Sequence, residues 1–247
     1  MARPGNSPKS PPENQLLVEG KDDLHVLMAL FQHHALPERF AVKELSGYEQ
    51  TVEAGDESFA QLIKVGNQRR LGLVVDADTN LQARWDSLVH LLRVRGYTQI
   101  PSKPDSAGTI IPPDVADDDN TSPPYKPLIG IWLMPDNQLP GALEEFARFL
   151  VPPDKKDLWD YAEASVAGLP QKPDPCTENW LAKARIQTYL AWHKRPGVPM
   201  GLAITERYLS ADAAIVLPFI AWIQRLFDLA PESVPPASIT STPPTPG

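Results

Sequence analysis

Two aspartates separated by a single alanine, Asp76 and Asp78, close the apolar run LGLVV in the stretch LGLVVDADTN at residues 71–80. Alternate side chains of an extended chain share a face, so the two carboxylates project together. Anions that close repel one another unless a divalent cation or a shared proton lies between them. Other acids follow apolar runs in the same way. Glu19 follows QLLV, with Asp23 four residues later; Asp136 and Asn137 follow LIGIWLMP; Glu144 and Glu145 lie in GALEEF. An all-oxygen donor set suits Mg2+ or Mn2+, which keep coordination positions open for water and phosphate. One or two such ions activate a water and neutralise charge developing on a phosphodiester, while a glutamate outside the metal shell shuttles the proton.

Each signal also has a plainer reading. Asp76 and Asp78 would cap a helix starting near Thr79, although one cap does not need two acids. Glu19 would pair with Lys21 or Lys43, Asp136 and Asn137 would form a turn, and one of Glu144 and Glu145 would face solvent. His25, His33 and His34 read as packing or surface residues. Trp180, Tyr189, Trp192, Tyr208 and Trp222 read as filling a helical core, with Trp192, beside His193, Lys194 and Arg195, the best placed of them to meet a base. The run Asp117 to Asp119 lacks the spacing of a calcium loop and reads as a solvated tip.

The elements that would position these acids alternate. Strands are expected at QLLVEG, RFAVKEL, LGLVVDA and PLIGIWLMP. Helices are expected over DDLHVLMALFQHHAL, capped by Asp22, then from Ser58 to Val65, from Thr79 to about Arg95, and at GALEEFARFLV. That order is βαβαβα, an α/β fold with a mostly parallel sheet flanked by helices. Functional groups of such sheets gather at the carboxyl ends of the strands, where Glu19, Asp76, Asp78 and Asp136 fall. Beyond Lys156 only helices are expected, with Pro218 kinking or restarting the last of them.

Composition sets the frame. The 247 residues carry a formal charge of -8 and are 42% hydrophobic, enough for one sizeable domain and without the basic footprint of a duplex-coating protein. The lone Cys176 points to a reducing cytoplasm; no Cys/His set has zinc spacing, no export signal is visible, and no apolar run would span a bilayer. The 28 prolines mark boundaries. Residues 1–13 and 231–247 read as disordered tails, 14–151 as the α/β domain with a long surface loop at 100–127, and 152–230 as a C-terminal helical extension that packs against the sheet or forms a small lobe over its edge.

VEGKDD at Val18 to Asp23, followed by a later apolar strand ending in the DAD of Asp76 to Asp78, resembles the TOPRIM domain of primases, topoisomerases, recombination factors and OLD-family nucleases. The spacing of Glu19 and Asp23 is similar to the OLD branch, and the stretches around Trp132 to Phe146 and Lys183 to Gly201 resemble an uncharacterised bacterial TOPRIM-like family. The resemblance implies a TOPRIM-like sheet with Glu19 as general acid/base and Asp76 and Asp78 as the metal pair. Asp23 and Glu145 would complete the shell, with Lys183 as a catalytic lysine, Mg2+ or Mn2+ as cofactor and nucleic acid, RNA or DNA, as partner. Lys21, Arg69, Arg70, Trp192, Lys194 and Arg195 are the candidate nucleic-acid contacts. The expected activity is phosphodiester cleavage. The alternatives are a non-catalytic TOPRIM-like adaptor that binds a nucleotide or a protein partner through its proline-rich tails and, further off, a haloacid-dehalogenase-like phosphatase, whose motif has its threonine one place later and on the first strand. The sequence leaves oligomeric state open.

Overall fold

The computed structural model describes residues 13–45, 52–114, 125–174 and 176–229, and for 52–58 the backbone alone. Its strands are β1 (Asn14–Val18), β2 (Ala41–Glu44), β3 (Arg70–Asp76), β4 (Thr109–Ile111) and β5 (Leu128–Met134). The helices are α1 (Lys21–His33), α2 (Val52–Val65), α3 (Leu81–Val94), α4 (Leu143–Phe149), α5 (Lys156–Ala167), α6 (Glu178–Ala191), α7 (Met200–Thr205) and α8 (Val216–Phe227). The strands form one sheet in the order β2-β1-β3-β5-β4, parallel except for β4, which runs antiparallel to β5. The molecule is therefore α/β, with a mostly parallel sheet flanked by helices and further helices toward the C-terminus.

The continuous apolar runs of β3 and β5 serve two cores because successive side chains face opposite ways. Leu71, Leu73, Val75, Ile131 and Leu133 face α2 and α3, where Phe59, Ile63, Trp85, Leu88 and Leu92 meet them. Val74, Trp132 and Met134 face the other way with Leu16 and Val18. There they meet Val26, Leu27 and Leu30 of α1, Phe146 of α4, and Phe219, Trp222 and Leu226 of α8. Burying each such large side chain contributes roughly 1.5–3 kcal/mol.

The last helix packs against the sheet, one of the two placements expected for the C-terminal helices, and covers it. Gly72 and Gly130 are in register on β3 and β5. A Cβ at Gly130 would lie 2.4 Å from Leu226 Cδ2, and one at Gly72 2.9 Å from the same atom. Two missing side chains thus let α8 settle almost onto the backbone. Pro218 is the third residue of α8, inside the first turn, where its missing N–H has no intrahelical acceptor to lose. The helix therefore begins at Val216 instead of continuing from Ser210. Around it, α5 packs on α6, α6 on α4, and α7 on α1.

The segment 100–127 is also more than a surface loop. It contributes β4, held by pairing with β5 and by Trp222 Nε1–H donating to the Thr109 carbonyl at 3.3 Å. Three residues between prolines are too short to show an alternating pattern, so tertiary contacts make the strand. The Asp117 to Asp119 run and the stretches 1–12 and 231–247 lie outside the described residues.

Candidate functional site

The carboxyl ends of β1 and β3 stand side by side, with Val18 in register with Val74. Glu19 and Asp76 follow on adjacent strands, and the Asp76 N–H donates to Glu19 Oε2 at 3.1 Å. After Asp76 the chain turns sharply. Asp78 takes a left-handed conformation, φ 51°, which aspartate tolerates better than most residues. Its carbonyl accepts from the Gly141 N–H at 2.7 Å, so the β3–α3 and β5–α4 loops are stitched together over the rim. The helix that follows is capped by Asn80, whose Oδ1 accepts from the Ala83 N–H at 3.0 Å. Neither Asp76 nor Asp78 is spent on that cap.

Asp23 reaches the same rim from the first turn of α1. Its Oδ2 accepts from the Gly20 N–H at 3.1 Å, so Asp23, not the expected Asp22, closes the start of the helix. Only 7% of Asp23 is exposed, and its second oxygen, Oδ1, is buried without a hydrogen-bond partner; so is Asp76 Oδ1. Burial, then the nearby Glu19 carboxylate, pushes the Asp23 carboxyl up to about 7. Burial, then Glu19, Asp23, Glu144 and Asp78, holds Asp76 well above the usual carboxylate range. Two buried oxygens without partners, in a field that disfavours their own ionisation, are donors that a cation could satisfy.

A fifth carboxylate comes from α4, and it is Glu144 where Glu145 was expected. Glu145 Oε2 accepts from the Ala142 N–H at 2.8 Å, closing the first turn of its own helix. Glu144 is raised chiefly by burial and acts on both Asp23 and Asp76. The sequence held the signal for this exchange. With the helix starting at Leu143, Glu145 is the third helical residue, where a carboxylate reaches back to the cap. Lys183, on α6, stands 3.8 Å from Glu144 Oε1 with 67% of its side chain exposed. The lysine is thus at the edge of the acids, with freedom to move.

Asp136 and Asn137 follow their plainer reading. Asp136 Oδ1 accepts from the Gln138 and Leu139 N–H groups, and buried Asn137 accepts from the Leu133 N–H at 2.7 Å. Among the candidate nucleic-acid contacts, Lys21 begins α1 beside the rim and is exposed. Arg69 and Arg70 do not belong with it. They sit at the amino end of β3, about 20 Å from Asp76 at the rise of an extended strand. Both are also engaged: Arg69 stacks 4.3 Å over Tyr125, and Arg70 donates to the Leu226 carbonyl at 2.7 Å. Proximity in sequence was misleading because a strand carries its two ends to opposite edges of the sheet. Trp192, 54% exposed, caps the far end of α6, about 14 Å along the axis from Lys183 and half a turn around. Lys194 is exposed, and Arg195 pairs with Glu206.

Asp23, Asp76, Asp78 and Glu144 bring only oxygen donors to the rim, two of them buried without partners, a chemistry that suits Mg2+ or Mn2+ better than a softer ion, although no three of these carboxylates have ligand atoms all within 4.8 Å of one another. Among the described residues, no helix is long and apolar enough to cross a membrane. The family model described as "Protein of unknown function (DUF3226)" matches residues 13–228, and the chain belongs to that family. No curated protein and no solved structure matches it.

Proposed function

We propose that this DUF3226 chain is a TOPRIM-type, metal-dependent enzyme that cleaves nucleic-acid phosphodiesters in a cytoplasmic setting. The carrying observation is the pair of buried oxygens without partners, Asp23 Oδ1 and Asp76 Oδ1, in a carboxylate cluster at the carboxyl rim of a parallel sheet. Asp23, Asp76, Asp78 and Glu144 would hold the ion or ions. Bound there, Mg2+ or Mn2+ would supply a water of lowered pKa and neutralise charge on the phosphate. Glu19, whose Oε2 accepts from the Asp76 N–H, would take the proton from the attacking water. Lys183 can leave Glu144 and set its ammonium against a phosphate oxygen, which offsets the negative field that the carboxylates present to an anionic substrate. Lys21 is the nearest exposed cation on α1 to steady the backbone.

A non-catalytic adaptor is the second reading. It is favoured by the net charge of -8 and by the distance of Arg69 and Arg70 from the rim, which leave few cations to grip a strand. The two are separated by incubating end-labelled single-stranded and duplex RNA and DNA with Mg2+, Mn2+ or EDTA. Cutting that needs the metal and is lost in Asp76→Asn supports the enzyme. Absence of cutting on all four substrates, with metal bound, would leave the adaptor.

A further inference from the structure

His33, at the end of α1, and His34, which caps it, were read in the sequence as packing or surface residues, yet they meet Asp212 from the loop before α8. The three offer ligand atoms that all lie within 4.8 Å of one another. We propose that His33, His34 and Asp212 form a second metal site, of the zinc type, separate from the acidic rim. The donors are two imidazoles and a carboxylate, a set that suits Zn2+, Ni2+ or Cu2+ and is poorly matched to Mg2+. The inference does not depend on the reading of the rim.

Local structure brings the rings together. Consecutive residues in mid-helix diverge by about 100°, but here the helix is ending, and Ala35 immediately turns left-handed at φ 50°. The two rings lie edge to face with centroids 5.1 Å apart. His33 Nε2–H donates to Asp212 Oδ1 at 2.8 Å, and a metal would take the place of that proton between the two groups. His34 Nε2 donates to the Ala211 carbonyl at 3.0 Å, which in the neutral ring leaves Nδ1 as the lone-pair nitrogen. Metal-bound imidazoles commonly carry such an orienting bond to a backbone carbonyl. Tetrahedral ligands about 2.0–2.1 Å from zinc stand roughly 3.3 Å apart, so the site needs side-chain adjustments of an ångström or so. Exposures of 45% for His33 and 75% for Asp212 allow them without disturbing the core. The negative end of the 13-residue α1 dipole also favours a cation here.

His33 and Asp212 form part of the wall of a solvent-open cavity of 620 Å³. A fourth ligand, water or a substrate oxygen, would enter from that side. Asp154, Lys155 and Arg207 line the same cavity and balance one negative charge with two positive ones. Spacing in the sequence could not show this site, because Asp212 lies 179 residues beyond His33.

The test is Zn2+ binding to the full chain by competition with a chromophoric chelator, in excess Mg2+ so that the acidic rim is saturated. The expectation is one Zn2+ per chain, weakened about tenfold or more by His34→Ala and by Asp212→Asn, and unchanged by Asp76→Asn. Asp212 is on an exposed loop, so its substitution does not put folding at risk. In the Co2+ form, visible bands of imidazole coordination should disappear with His33→Ala. Failure to bind Zn2+, binding indifferent to His34 and Asp212, or binding lost in Asp76→Asn would each overturn the proposal.

Discussion

Replacing Asp23 by Asn should stabilise the metal-free protein, and by an amount that depends on pH. The folded carboxyl titrates at about 7 against an ordinary 3.8, chiefly because it is buried. The folded state therefore holds its proton more tightly than the unfolded chain, and stability falls as pH rises from 3.8 through 7, then levels off. At about 1.36 kcal/mol per tenfold change in proton affinity, the ionised group costs roughly 4 kcal/mol above pH 7 and roughly 1.5 kcal/mol at pH 5. Asparagine keeps the acceptor for the Gly20 N–H and sets an amide beside the remaining carboxylates without carrying charge. Urea denaturation in EDTA should show Asp23→Asn gaining on wild type by roughly 3 kcal/mol between pH 5 and pH 8. That is about 6–12 °C in Tm for a chain of this length. Saturating Mg2+ should narrow the gap, because the ion stabilises a shell that the variant has lost. A stability difference that stays flat from pH 5 to pH 8 would refute the reasoning.

Four further outcomes follow from the same geometry. Glu144→Gln should weaken Mg2+ binding, whereas Glu145→Ala should leave it nearly unchanged and cost about 1 kcal/mol in urea through the lost contact to Ala142 N–H. Lys183→Gln should lower the cleavage rate by about 10²-fold or more while Tm stays close to wild type, the side chain being mostly exposed. Gly130→Ala should destabilise by about 1–3 kcal/mol through collision with Leu226, and a double-mutant cycle with Leu226→Ala should recover part of that loss. Asn137→Ala orphans the buried Leu133 N–H and should cost about 1–3 kcal/mol by chemical denaturation.

The sheet was legible because its physics is local. LGLVV and LIGIWLM carry the long apolar runs that a strand covered on both faces requires, and each was followed by a helix of the right period. Those two facts imply a mostly parallel sheet, and with QLLVEG as its first strand they put Glu19, Asp76 and Asp78 at the carboxyl ends on one rim. What depends on distant packing was not legible. The strand β4 exists because β5 and Trp222 hold it, and α8 comes as close to the sheet as it does because Gly72 and Gly130 leave room for Leu226. Glu144 and Glu145 are neighbours in sequence, and a one-residue choice of helix start decides which caps and which faces the acids. The arginines beside β3 were misassigned because chain proximity ignores strand length. The partners of His33 and His34 lie at the other end of the chain.

The central claim is that the rim carboxylates hold protons that a divalent cation displaces. It is tested most directly by calorimetric titration of Mg2+ into the metal-free protein at about pH 6.5, in two buffers of different ionisation enthalpy, with Asp76→Asn alongside. The account predicts saturable binding with release of about one proton or more per ion, abolished in the variant. Binding without proton release, or binding that Asp76→Asn leaves intact, would contradict it.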